Sequence, residues 1–212
     1  MKKLIITTIT CIILSLSPMT YGLEKKYQIE ILIFSDINSA NAKSELWPAT
    51  SNIPPFQPPN IPEIQILPNQ EAQVTGDTVM LISPSQFIIK ENAFKREKSQ
   101  HILCHFGWIQ DFSQQPNIQL ALKRVPDNVA PTSIQGLISI GLKTYFNAQF
   151  TLLFSEPLGT FTHVSATQPL QNIINGNAYF LFDQTRRMRS KELNYLDHPL
   201  YGILIYILPL NN

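Results

Sequence analysis

Residues 186 to 202 read Arg186-Arg187-Met188-Arg189-Ser190-Lys191-Glu192-Leu193-Asn194-Tyr195-Leu196-Asp197-His198-Pro199-Leu200-Tyr201-Gly202 and hold three of the chain's five arginines. Apolar, strand-like runs flank this charge on both sides, so it is either a structural ion-pair lock or a site. If Ala178 to Ser190 is one unbulged strand, Phe180, Phe182, Gln184, Arg186 and Met188 share one face, and Arg187 and Arg189 share the other. The first face is apolar and looks inward. Arg186 on that face needs a carboxylate, with Glu45, Glu192 and Asp197 as candidates, which makes it the arginine of a structural ion pair. Arg187 and Arg189 point outward about 6.6 Å apart, a spacing suited to two separate anionic oxygens, and are the ligand candidates. Asp197-His198-Pro199 has two open readings. The aspartate can cap a turn closed by Pro199, or Asp197 and His198 can join Tyr195 in a binding site.

Other chemistry finds less support. His101 and His105 lie four residues apart in a strand-like run, about 13 Å, too far to share an ion. Asp197 and His198 are sequence neighbours that diverge rather than orient one another, and no motif sets a serine or cysteine beside them. The chain has no Gly-x-Ser-x-Gly, His-Glu-x-x-His or Cys-x-x-Cys, and no glycine-rich phosphate loop. The expectation is therefore a protein that is not an enzyme and holds no metal or cofactor.

These residues must be positioned by the rest of the chain. Met1-Lys2-Lys3, an apolar run from Leu4 to Leu16 and Thr20-Tyr21-Gly22 form the pattern of a secretory signal peptide over residues 1–22. Without Lys2 and Lys3, the 16 basic residues fall to 14 against 15 acids, a net charge of −1. That balance argues against nucleic acid as a partner. No later apolar stretch reaches membrane-spanning length, so no membrane span is expected after signal cleavage. Residues 23–212 are enough for one core. With Cys11 removed, Cys104 stands alone, on a strand face shared with Ile102, Phe106 and Trp108, and reads as a small core residue.

Strand alternation recurs at Tyr27 to Phe34, His101 to Ile109, Ile118 to Leu122, Ser133 to Ile140, Tyr145 to Phe154, Ala178 to Ser190 and Leu200 to Leu208. Tyr201 to Leu208 is apolar on both faces, as a central strand is. Seven prolines between Pro48 and Pro68 predict an extended surface arm over 48–68. Gln86 to Ser99, with Ser85 as N-cap and Lys95, Arg96 and Lys98 near its end, predicts a helix. The expected fold class is α+β: a mostly antiparallel sheet of about six to eight strands with one principal helix and the proline-rich arm.

The stretch from Arg186 to Gly202 resembles the C-terminal signature of the CsiV-type family of periplasmic peptidoglycan-binding, cell-shape-integrity proteins of Gram-negative bacteria. His105-Phe106-Gly107-Trp108-Ile109-Gln110 resembles that family's His-x-x-Trp-x-Gln strand, and Glu45-Leu46-Trp47 matches its start more loosely. Two basic positions depart: Ile109 stands where an arginine is expected, and Lys143-Thr144-Tyr145-Phe146 where an Arg-Tyr-Leu-like step is usual. The resemblance implies the periplasm, peptidoglycan as partner, a role in the cell envelope and cell shape, and no catalysis. Arg187, Arg189, Tyr195 and Trp108 are then the expected wall contacts. The alternative is a periplasmic scaffold that binds other cell-wall synthesis or envelope proteins through its arm and sheet edges.

Overall fold

A computed structural model describes residues 25–36, 61–76, 79–94, 96, 100–128, 130–157 and 173–210. The expected signal peptide, Glu45 and most of the proline-rich arm lie outside these residues. The described elements are β1 (Lys26–Asp36), β2 (Glu63–Ile66), β3 (Ala72–Thr75), β4 (Met80–Ile82), α1 (Ile88–Phe94), β5 (Gln100–Asp111), β6 (Asn117–Arg124), β7 (Ser133–Leu142), β8 (Phe146–Pro157), β9 (Ile173–Ile174), β10 (Asn177–Met188), β11 (Leu193–Asp197) and β12 (Tyr201–Pro209). Among the described residues, no helix is long and apolar enough to cross a membrane.

The strands form two sheets, one five-stranded in the order β11-β12-β1-β5-β4 and one seven-stranded in the order β3-β2-β6-β7-β8-β10-β9. All pairings are antiparallel except β2 with β6. Along β7 and β8 buried and accessible residues alternate, which gives the large sheet one apolar face. Ile29, Ile31, Phe106 and Trp108 from the small sheet join Leu120, Ile138, Phe150 and Phe182 from the large one in one buried cluster. Each such side chain removed from water contributes about 1.5–3 kcal/mol, so this layer between the sheets carries most of the stability.

This architecture overturns the α+β expectation. The described helix spans only seven residues, Ile88–Phe94, and the described structure is otherwise two β-sheets. The cap and the basic residues that suggested a longer helix are local signals, whereas helices draw most of their stability from packing. Here the core is already closed by sheet against sheet. The strand count was also too low. β2, β3, β9 and β11 are short arms of local hairpins, and two to five residues are too few to show alternation.

Helix α1 covers the outer face of the small sheet, where Leu32, Phe34, Phe87 and Leu204 form a second apolar cluster. That explains why the middle of β1 and β12 is buried on both faces. A charged lock pins the helix there. Glu30, 0 % exposed, accepts hydrogen bonds from the backbone N–H groups of Ser85, Gln86 and Phe87, each at 3.0 Å. His105 Nε2 donates to Glu30 Oε1 and its Nδ1 donates to Glu91 Oε2, both at 2.8 Å. An imidazole that donates from both nitrogens is the cation. Burial works against charging either partner. For His105 the bonds to Glu30 and Glu91 outweigh it and raise the pKa; for Glu30 the bonds from His105 and the three N–H groups outweigh it and lower the pKa.

Candidate functional site

Antiparallel register stacks polar residues across four strands on the outer face of the large sheet. Asn117 of β6 pairs Gly141 of β7, Gly141 pairs Asn147 of β8, and Asn147 pairs Arg187 of β10. One step along, Gln119, Ser139, Gln149 and Thr185 form a second such row, and Gln119 Nε2 donates to Ser139 Oγ at 3.3 Å. Their neighbours Ile118, Ile140 and Ala148 point into the core, so period-two alternation forces the amides outward. Over these rows lies a groove of about 540 Å³ that reaches the Lys143-Thr144-Tyr145 turn between β7 and β8. Gly141 forms its floor. A Cβ there would meet Asn117 Oδ1, so the missing side chain is what lets the Asn117 carboxamide lie over this position.

Cations gather at the turn. The Arg187 guanidinium carbon lies 3.8 Å from the Tyr145 ring centre and that of Arg189 lies 5.5 Å away. A hydrogen bond between the Tyr145 hydroxyl and Arg189, helped by the charges of Arg189 and Arg187, holds the phenol below its ordinary pKa. Exposed Lys143 adds a third cation, and no carboxylate, histidine or cysteine lines the groove. The arrangement can hold an anion and hydrogen-bond amides or hydroxyls.

The structure divides the residues singled out by sequence. Arg187 and Arg189 do project to one place, around Tyr145. Trp108 is 0 % exposed and stacks on Phe106 in the core, so its indole is not presented to a ligand. Tyr195 and Asp197 lie on β11 in the other sheet, where the tyrosine hydroxyl donates to Asp197 Oδ1 at 2.6 Å. His198 sits in the hairpin between β11 and β12: its backbone N–H donates to Tyr201 O, and its Nδ1 accepts from Leu200 N–H at 3.3 Å. Burial against Phe182 and Tyr201 pushes its pKa down to about 4, so it is neutral near pH 7. The turn contacts thus come from His198, while the Asp197 carboxylate accepts from Tyr195.

Arg186 shares a register row with buried Ile118, Ile140 and Ala148, yet it is exposed. Phe182 and Met188 on the same face of this strand are buried. Within the described residues β9 covers only Asn177 and Ala178 of β10, so Arg186 lies on an open edge strand. Glu192, exposed, acts electrostatically on Arg189, while Glu45 lies outside the described residues. Sequence inspection missed Tyr145, Asn147, Gly141 and Asn117 as a group. The available signal was polar residues at outward positions of successive strands, which only register can bring into line.

The family model described as "Peptidoglycan-binding protein, CsiV" matches residues 4–210. No curated protein and no solved structure matches the chain. The chain belongs to the CsiV family of peptidoglycan-binding proteins.

Proposed function

We propose that this CsiV-family chain is a non-enzymatic peptidoglycan-binding protein that holds the wall through the groove on the outer face of its large sheet. In this reading residues 1–22 export it, residues 23–212 act as one domain in the periplasm, and wall binding supports cell-envelope and cell-shape integrity. The observation that carries the reading is the pair Arg187 and Arg189 gathered on Tyr145 at the end of an amide-lined groove. Guanidinium groups bind carboxylates as forked donors, and peptidoglycan offers carboxylates on its peptides. The lining holds no carboxylate, histidine or cysteine, and the family's description is of binding, which supports a role without catalysis.

Co-sedimentation with purified sacculi tests this. Protein beginning at Leu23 is expected in the pellet at low salt, with no soluble muropeptides released, and the Arg187→Ala and Arg189→Ala variants largely in the supernatant. Wild-type protein that stays in the supernatant refutes wall binding. Variants that pellet like wild type refute the groove as the contact, and released muropeptides refute the non-enzymatic role.

A further inference from the structure

We infer that the groove takes the peptide stem of peptidoglycan rather than its glycan, laid across the strands with a stem carboxylate on Arg187 and Arg189. The inference rests on the wall-binding reading above and names the part of the wall that is held.

Three observations converge on it. The first is charge. Lys143 and Arg187 line the groove with Arg189 beside them and no carboxylate in the lining, Glu192 acting on Arg189 from outside it, so the groove is positive and matches a ligand that brings negative charge. N-acetylated sugars are neutral, whereas a stem carries free carboxylates. The second is the ring. A sugar needs an open aromatic face to stack on, but the Arg187 guanidinium already lies 3.8 Å from the Tyr145 ring centre. Tyr145 therefore works as a platform that aims guanidinium groups, and a sugar ring would have to displace one of them.

The third is length and pairing. From Asn117 on β6 to Arg187 on β10 the row crosses three strand spacings, about 14 Å at ~4.8 Å each. Four extended residues span about 13 Å at ~3.3 Å each, which is the length of a tetrapeptide stem. Along that row Asn117 and Asn147 offer side-chain amides, which both donate and accept, as peptide groups do.

Calorimetric titration of protein beginning at Leu23 tests the inference with four probes: the free stem tetrapeptide, the same peptide with its carboxylates amidated, a neutral N-acetylglucosamine pentamer, and stem-free glycan bearing the exposed lactyl carboxylate. The free peptide is expected to bind, and amidation to weaken it at least tenfold. Neither glycan probe is expected to saturate over the same range. Arg187→Ala should weaken the peptide about tenfold. Asn147→Asp, which sets a competing carboxylate opposite Arg187, should do the same while leaving the melting temperature unchanged. Equal binding of the amidated peptide overturns the carboxylate contact. Stem-free glycan binding as tightly as the peptide moves the anion to the lactyl group and overturns the stem. Peptide affinity unchanged in both variants places the stem outside the groove and overturns the inference. In each of these cases pelleting of the wild type with sacculi leaves wall binding itself standing, whereas loss of that pelleting removes both readings together.

Discussion

Each sheet carries a polar cluster on the face turned away from the core, and the two differ in how their charges are met. On the small sheet, His105 lies between Glu30 and Glu91, and Glu30 takes three backbone N–H groups as well. Every charge there meets an opposite charge or a dipole, and helix α1 roofs the cluster. On the large sheet, Arg187, Arg189 and Lys143 converge on a groove whose lining holds no carboxylate, and nothing described covers it. Buried charge must be answered inside the protein because desolvation is costly, while exposed charge can wait for a partner. A lock and a receptor are thus told apart by where the counter-charge comes from, rather than by the number of charged residues.

The largest test of this contrast breaks the lock. Glu30→Ala leaves three N–H groups without their acceptor and His105 with Glu91 alone, and is expected to cost about 3 kcal/mol or more, read by chemical denaturation. Next comes the receptor: Tyr145→Ala should lower affinity for sacculi about tenfold with little change in melting temperature, since a half-buried ring outside the core between the sheets contributes little to folding. If Tyr145→Ala unfolds the protein instead, the groove is structural and the contrast fails.

A pH series sharpens the comparison further, by a smaller effect. The raised pKa of His105 makes its contribution complete below its ordinary 6.5 and lost as pH rises through the folded value. The lowered pKa of Glu30 makes its contribution complete above its ordinary 4.5 and lost as pH falls through the folded value. Both are in place between about 4.5 and 6.5, so the melting temperature should peak there and decline toward pH 9. In His105→Gln the alkaline decline should flatten; an unchanged slope would show that another group titrates. The smallest effect belongs to Arg186→Ala, which should alter sacculus binding less than twofold although its neighbour Arg187 matters greatly. Equal losses at both positions would mean diffuse charge rather than a placed pair.

The core was largely legible in the sequence, and the two clusters were not. The face of Cys104, Phe106 and Trp108 followed from alternation, and the run from Tyr201 from its unbroken apolar character, but a β-bulge puts Leu103 rather than Ile102 into the core between the sheets, which alternation alone does not reveal. The lock joins residues 14 to 75 positions apart, so no local pattern announces it. The sequence pointed instead to Arg186 as the locked residue. Its face was assigned correctly, but alternation does not say which inward-facing side chains of an edge strand stay covered: Phe182 and Met188 are buried and Arg186 is exposed. The outward pair Arg187 and Arg189 was visible, while its companions Tyr145, Asn147 and Asn117 entered only through register. Helix content was overestimated because cap and end-charge signals mark where a helix can start and stop, without saying whether the tertiary structure needs one there.

Cys104 gives the sandwich a built-in gauge of its own opening. Its thiol lies between the sheets at 0 % exposure, and burial pushes its pKa up to about 12, so the folded protein offers a thiol reagent neither access nor thiolate. In protein that begins at Leu23 it is the sole cysteine. The rate of its modification under native conditions therefore reads how often the two sheets part, without any added label. Damage to the lock should quicken that rate, while loss of a groove arginine should leave it unchanged.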